Sequence, residues 1–302
     1  IFNGKNPRLV KVTGVLMEKR VLLSALADEV ERGKLFFSTS ATATLQIKKM
    51  LEDPDCDLDA VTRLIQADPL LSVKIVAVAN SVVFNRSGKK ITSVSSAITL
   101  LGLRTVRNLA VAVITQQLAG TQSKSELVAQ LWKHSAHVAA LAQIIARRIT
   151  HQDPDTAMFA GIIHEISWFY LLSREKAYPG LFDGNIANSW VSDDDLDEED
   201  ELACEMKISA AILSALSVPE SVAEAIVNLW QGTLAFPPAT LEDTLLLADQ
   251  LAAAKSPFAP TQIQADEDFF TKIDRLANQE ALNAILAESE EEVESLTAAL
   301  CV

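Results

Sequence analysis

Two Asp-Pro pairs stand at or just before the start of an apolar run: Asp68-Pro69 and Asp153-Pro154. Aspartate accepts hydrogen bonds from the free N–H groups of a helix start, and proline is well tolerated at the first helical position. Each pair therefore predicts the start of a helix. Asp57 gives the same capping signal before residues 58–67. Start signals of this kind restrict the chain to a helical architecture.

The other apolar runs also follow a helical rhythm, and no segment predicts a strand. The chain has 302 residues with only ten glycines and two tyrosines, a composition that favours helices over short strands. We expect an all-α fold. Its helices are predicted over residues 15–32, 42–51, 58–67, 69–80, 94–101, 103–118, 126–149, 154–172, 202–216, 219–230, 240–254, 266–277 and 280–300.

A polar segment at Thr121–Ser125 separates two groups of these helices. We expect a two-lobed helical bundle, with an N-terminal lobe over residues 1–122 and a second lobe over residues 123–255. Residues 256–302 are predicted to form an acidic helical extension. The acidic run at 193–201 is typical of a solvated loop and helix start.

The net charge of -14 limits the classes of partner. Phosphate-rich surfaces attract basic proteins through counterion release, so general binding to nucleic acid or to an anionic membrane is not expected. The three cysteines are Cys56, Cys204 and Cys301, with no CxxC spacing. This pattern indicates reduced thiols and predicts a cytoplasmic protein.

Several segments of the sequence resemble a known protein family. The stretches LEDPDCDLDAVTRLIQADPLLSVKIVAVANSVVF at 51–84 and ITSVSSAITLLGLRTVRNLAVA at 91–112 resemble the first half of an HDOD domain. LWKHSAHVAALAQIIARR at 131–148 and FAGIIHEISWFYLL at 159–172 resemble its second half, which is related to HD phosphohydrolases. The resemblance covers roughly residues 35–255. It implies a helical module of bacterial signal transduction with an HD-like second lobe.

The resemblance also implies a set of candidate metal ligands. Active HD enzymes hold a divalent ion with a histidine, an adjacent His-Asp pair and a later aspartate. The matching positions are His134, the pair His164-Glu165, and Asp249. Imidazole and carboxylate groups suit a first-row divalent metal, which lowers the pKa of a bound water for attack on a phosphate ester.

Three departures from the enzyme pattern argue against catalysis. Glu165 stands where the enzymes have aspartate, and its extra methylene displaces the carboxylate. The further histidines that hold a second ion are missing: Cys204 or Glu205, and then Leu229 or Trp230, occupy those places. Trp168 stands where a cation would meet substrate phosphate. We therefore expect no catalytic residues and no cofactor, with one bound divalent ion as the alternative.

Three residues are candidates for ligand or partner binding: Arg104, Arg107 and Trp168. The two arginines are three apart on one predicted helix face and form either an anion-binding patch or ion pairs at the lobe interface. Trp168 is also expected to pack in the core of the second lobe, together with Trp132 and Trp230. His137 shares the helix face of His134 and is interpreted as a packed or surface histidine.

These observations favour a non-catalytic signal-transduction output or scaffold module. Such a module would bind signalling proteins or a small ligand, for which the groove between the lobes is the natural site. The alternative is a metal-dependent phosphohydrolase acting on nucleotides or cyclic dinucleotides. A third hypothesis is a sensor that binds a nucleotide without cleaving it.

Overall fold

The computed structural model describes residues 9–12, 15–35, 39–53, 57–118, 125–175, 177–178, 181, 195–229, 234–235 and 237–258, together with residues 280–301. The fold over these residues is all-α apart from one short hairpin. The hairpin strands are β1 (Leu9–Val12) and β2 (Val15–Glu18). The helices are α1 (Lys19–Glu31), α2 (Thr39–Leu51), α3 (Leu58–Ala67), α4 (Pro69–Ala79), α5 (Val94–Leu118), α6 (Ser125–Ile145), α7 (Pro154–Ile163), α8 (Ile166–Arg174), α9 (Asp195–Ala215), α10 (Glu220–Leu229), α11 (Leu241–Leu251), α12 (Glu280–Glu288) and α13 (Glu290–Cys301).

The predicted capping residues lie at observed helix starts. The Asp57 carboxylate accepts a hydrogen bond from the Asp59 N–H at 3.0 Å, and that of Asp68 accepts from the Leu71 N–H at 3.1 Å. Helix α7 begins at Pro154 as predicted, but the Asp153 side chain does not cap it. Its carboxylate instead accepts hydrogen bonds from Arg104 and Thr156.

Glycine 102 divides α5 into two helical stretches. Its φ of 77° and ψ of 157° lie outside the helical region, and only glycine adopts this backbone conformation at low cost. The junction predicted between residues 101 and 103 is confirmed. By length and composition α5 could also cross a membrane, but 61% of its most apolar window is buried inside the protein, as is typical of a core helix.

The first predicted helix starts later than expected. Residues 15–18 form β2, which pairs antiparallel with β1 so that Leu9 faces Glu18 and Val12 faces Val15. The periodicity of residues 15–32 contains no information about β1, the partner strand, because β1 lies before residue 15. The hairpin is therefore a correction to the prediction of a helix from residue 15.

The last helix is part of the packed core. Helix α13 lies against α4 of the first lobe and α6 of the second, with Val293, Leu296, Ala299 and Leu300 buried. The Leu300 carbonyl accepts hydrogen bonds from Lys74 and from the Trp132 indole. Arg147 pairs with Glu292 nearby. The predicted helix over 280–300 is thus observed, with a break at Ser289, and that over 266–277 lies outside the described residues.

Candidate metal centre

Helices α6 and α7 approach so closely that their backbones touch. A Cβ atom added at Gly161 would lie 2.7 Å from the Cα atom of Ala139, closer than real Cβ atoms come. Glycine at this position lets α7 lie directly on α6. The close approach brings His134, on α6, opposite the residues that follow α7.

His164 and Glu165 lie at a break between α7 and α8. Sequence analysis predicts one helix over residues 154–172, but α7 ends at Ile163 and α8 begins at Ile166. The backbone at Glu165 has φ -102° and ψ 27°, which leaves the helical conformation. This turn directs the His164 side chain toward His134. The residues on both sides of the turn are apolar, so the sequence pattern does not reveal the break in the helix.

Helix α11 supplies the third candidate ligand. Its start is fixed by a capping box between Thr240 and Asp243, and Thr244 is hydrogen-bonded to Thr150 at 2.6 Å. These contacts hold α11 in place beside α6 and α7. Asp249, near the end of α11, faces the two histidines, and 27% of its side chain is exposed.

The candidate ligand atoms converge on one point. The Nε2 atoms of His134 and His164 are 3.2 Å apart. The Asp249 Oδ1 atom lies 3.1 Å from His134 Nε2 and 3.9 Å from His164 Nε2. Two nitrogens bound to one ion at about 2.1 Å are themselves about 3.0–3.4 Å apart. The observed spacing therefore fits a shared ion.

Backbone carbonyls determine which nitrogen of each imidazole carries a proton. His134 Nδ1 lies 2.7 Å from the Ala254 carbonyl oxygen, and His164 Nδ1 lies 2.7 Å from that of Gly161. A carbonyl oxygen only accepts hydrogen bonds, so both Nδ1 atoms donate. Both Nε2 atoms of the neutral rings then direct lone pairs at each other, and this contact is repulsive unless a cation or a proton lies between them. Such outer hydrogen bonds are typical of metal-binding histidines.

The electrostatics of the two rings differ. Burial lowers the pKa of His134, but the carboxylates of Glu165 and Asp249 outweigh it and raise the pKa to about 9. Burial, together with the charge on His134, lowers the pKa of His164 to about 4. In the absence of an ion at neutral pH, one proton shared by His134 and Asp249 therefore occupies the position that fits a metal.

The two carboxylates also have opposite tendencies. Burial raises the pKa of Glu165 to about 7, against the attraction of His134. Burial acts in the same direction on Asp249, but the two histidines and Lys255 outweigh it and lower the Asp249 pKa. The Glu165 Oε2 atom is buried and accepts no hydrogen bond from the described residues. It lies 3.7 Å from His134 Nε2, close enough to serve the same site.

A short segment after α11, Ala252–Phe258, covers one side of the cluster. Its Ala254 carbonyl orients His134, and an interaction with its Ser256 partly offsets the raised pKa of Glu165. The Phe258 ring stacks on that of Trp168, with 4.4 Å between centroids and 7° between planes. We refer to residues 252–258 as the strap. Its contact with His134 is made by a backbone atom, so no side-chain pattern in the sequence indicates it.

Three comparisons place this architecture among known proteins. The sequence profile of the HDOD domain matches residues 38–231, more than half of the chain. The chain belongs to the HDOD domain family. No curated protein matches its sequence.

Several solved structures share the fold. A protein from Shewanella amazonensis SB2B, provisionally named a metal-dependent phosphohydrolase, is 20% identical with a TM-score of 0.68, over 93% of this chain and 99% of that one. An HDOD domain protein of unknown function from Geobacter sulfurreducens is 21% identical with a TM-score of 0.59, over 93% and 97%. A provisionally named signal transduction protein from Marinobacter aquaeolei VT8 is 15% identical with a TM-score of 0.56, over 93% and 65%. At these identities the likeness concerns the fold.

Among the residues that the structure describes, His134, His164 and Asp249 form the only cluster with metal-ligand geometry. All three belong to the set that the family resemblance indicates, and Glu165 lies beside them. Within the part of the chain that the structure describes, neither Cys204 nor Glu205 belongs to such a cluster. The site over the described ranges therefore suits one ion rather than two.

The three other predicted binding residues lie apart from the cluster or beneath it. Arg104 is 59% exposed and pairs with Asp153 and Asp155, which links α5 to the start of α7. Arg107 donates to the carbonyl oxygen of Leu51. Trp168 is buried under the strap, as Trp132 is in its own part of the core, while Trp230 lies outside the described residues. A role of Arg104, Arg107 and Trp168 in ligand or partner binding stays a prediction.

Proposed function

We propose that this HDOD protein is a signalling module whose second lobe binds one first-row divalent metal ion. The observation that carries the proposal is the 3.2 Å separation of His134 Nε2 and His164 Nε2 while both Nδ1 atoms donate to backbone carbonyls. His134, His164 and Asp249 would hold the ion, and Glu165 would lie beside it. Two imidazoles and a carboxylate suit iron, manganese, cobalt or zinc.

A bound ion would join three elements of the second lobe. Its ligands come from α6, from the turn between α7 and α8, and from α11. An ion that binds only the folded protein raises the free energy of unfolding. The increase grows with the logarithm of the ratio between the ion concentration and Kd. We infer that the ion fixes the shape of this lobe, and that the module acts by binding signalling proteins or a small ligand.

Metal content tests this proposal. We expect protein purified without chelator to contain close to one equivalent of a first-row metal by plasma mass spectrometry. His164→Ala should lose the metal. His151→Asn is the matched control, because His151 is exposed and its left-handed backbone, with φ 54°, tolerates asparagine. Absence of metal in the wild type, with no thermal stabilisation by added ions, would exclude the proposal.

Glu165 favours a second candidate function, metal-dependent phosphoester hydrolysis. A buried carboxylate with a pKa near 7 is suited to accept a proton from water at neutral pH, and its Oε2 atom accepts no hydrogen bond from the described residues. A bound divalent ion would supply Lewis acidity at the phosphate. The expected substrates are nucleotides or cyclic dinucleotides.

A panel of nucleotides and cyclic dinucleotides separates the two candidates. Hydrolysis that Glu165→Gln abolishes, with metal content unchanged, would establish the enzyme. Binding without turnover would establish a nucleotide sensor. Metal without either would leave the module as a protein-binding scaffold.

A further inference from the structure

The strap and helix α6 are joined by two hydrogen bonds at one residue of the strap, Ala254. The carbonyl oxygen of Ala254 accepts a hydrogen bond from His134 Nδ1 at 2.7 Å. The N–H of the same residue donates to His137 Nδ1 at 3.3 Å. His134 and His137 are one helical turn apart on α6, so two neighbouring histidines hold both polar groups of Ala254.

The two hydrogen bonds have different consequences. The bond to His134 lies beside the candidate metal site and fixes the tautomer and orientation of that ring. The bond to His137 is made by the N–H of Ala254 and holds only the strap. Burial is the largest influence on His137 and lowers its pKa, so the ring is neutral at pH 7 and its Nδ1 atom can accept.

From this arrangement we propose that His137 is a positioning residue for the metal site, which acts through the backbone of Ala254. The inference rests on the proposed metal-binding function and extends it by one residue. Among the described residues, no hydrogen bond or ion pair joins His137 to a candidate ligand; it holds the residue whose carbonyl orients His134. Outer-shell groups of this kind change metal affinity by about 10- to 100-fold when removed.

The rest of the strap supports the same role. Its far end is held by the stacking of Phe258 on Trp168, and Ser256, between the two anchors, interacts with Glu165 and lowers the pKa of that carboxyl. The strap therefore has one anchor on α6 and one on α8. His137 is the anchor nearer to His134, so its loss is expected to affect the orientation of that ring first.

A matched pair of substitutions tests the proposal. His137→Asn keeps an acceptor close to the position of Nδ1, whereas His137→Leu keeps the bulk and removes the acceptor. We expect His137→Leu to weaken Co²⁺ binding about tenfold in calorimetric titrations and to alter the visible spectrum of the Co²⁺ protein. His137→Asn should stay within about twofold of the wild type. Equal Co²⁺ affinities and spectra for the two variants would overturn the proposal.

A second measurement works without metal and separates this inference from the proposed function. Nitrogen–proton NMR correlations of the histidine rings in metal-free protein at about pH 10, above the His134 pKa of about 9, report which nitrogen of the neutral His134 ring is protonated. We expect Nδ1–H in the wild type and in His137→Asn, and a mixture in His137→Leu. If the wild type binds no Co²⁺ but the His134 signals respond in this way, the positioning role stands and the metal function fails. Unchanged His134 signals in His137→Leu would refute the positioning role.

Discussion

The ammonium group of Lys74 donates a hydrogen bond to the carbonyl oxygen of Leu300, 226 residues further along the chain. Lys74 is fully buried, and its Nζ atom lies 4.7 Å from the centroid of the Trp132 ring. The same carbonyl accepts from the Trp132 indole N–H at 2.9 Å. A single buried cation thus joins α4 of the first lobe, α6 of the second and the final helix.

Lys74→Met is expected to retain the fold at pH 7. Burial lowers the pKa of Lys74 from 10.5 to about 8, a cost of about 3 kcal/mol for the charged form. The substitution removes this cost together with a hydrogen bond and a cation–π contact of similar total size, and Trp132 still satisfies the Leu300 carbonyl. Urea unfolding should give a midpoint close to that of the wild type.

The pH dependence provides the control for this substitution. Because the folded pKa is the lower one, the penalty is complete below pH 8 and fades as pH rises toward 10.5. Wild-type stability should therefore rise relative to Lys74→Met across that window. A loss of more than about 2 kcal/mol in Lys74→Met at pH 7 would show that the contacts of the ammonium outweigh its burial.

Metal affinity is expected to rise with pH. The pKa of His134 is about 9, so an ion must displace a proton at neutral pH. Log Kd should fall by about one for each pH unit up to pH 9. Titration calorimetry in two buffers of different ionisation enthalpy measures the released proton, and an affinity independent of pH between 6 and 8 would contradict this assignment.

Glu165→Gln is expected to lower the pKa of His134. Among the influences that raise this pKa, the Glu165 carboxylate is the largest, and an amide removes its charge while it retains a similar shape. Carbon-detected NMR titration of the histidine rings in metal-free protein should show His134 titrating well below 9. Exposed Glu288→Gln is a suitable control, because Glu288 pairs with Arg148 away from the site and should leave His134 unchanged.

Gly161→Ala is expected to weaken both the fold and the metal site. The added methyl group would meet the Cα and N atoms of Ala139 at 2.7 and 2.9 Å, so α7 must move away from α6. Overpacking of this kind costs about 1–3 kcal/mol, and the movement separates His164 from His134. Thermal unfolding and Co²⁺ titration measure the two effects.

The clash caused by Gly161→Ala involves backbone atoms of Ala139. A substitution of the Ala139 side chain therefore serves as a control. Ala139→Gly removes a side chain but not the Cα and N atoms that the new methyl group would contact. The double substitution should therefore not recover the stability or the metal affinity lost in Gly161→Ala. Recovery would show that the helices are held apart by the Ala139 side chain instead.

Local signals made much of the fold predictable. Asp57 and Asp68 start helices because their side chains reach N–H groups only two or three residues away. Gly102 divides α5 because one residue alone adopts the required backbone conformation. By contrast, β2 depends on pairing with β1, and periodicity within a single window contains no information about a partner strand.

The candidate site was predictable only in part. The resemblance indicates His134, His164, Glu165 and Asp249, because these positions match motif residues. The break at residues 164–165 is hidden by apolar residues on both sides, which suit one long helix equally well. The Ala254 carbonyl is a backbone atom common to every residue, so only the three-dimensional structure reveals its contact with His134.

The position of α13 has a consequence for how the protein acquires its structure during synthesis. The surface of α4 and α6 that α13 covers is made long before residues 293–300 leave the ribosome. Until then, Lys74 and Trp132 lack the Leu300 carbonyl to which both donate in the folded protein. The apolar residues around them are exposed to water during this interval. Contacts of such long sequence separation slow folding, and the interval offers chaperones a defined apolar face to bind.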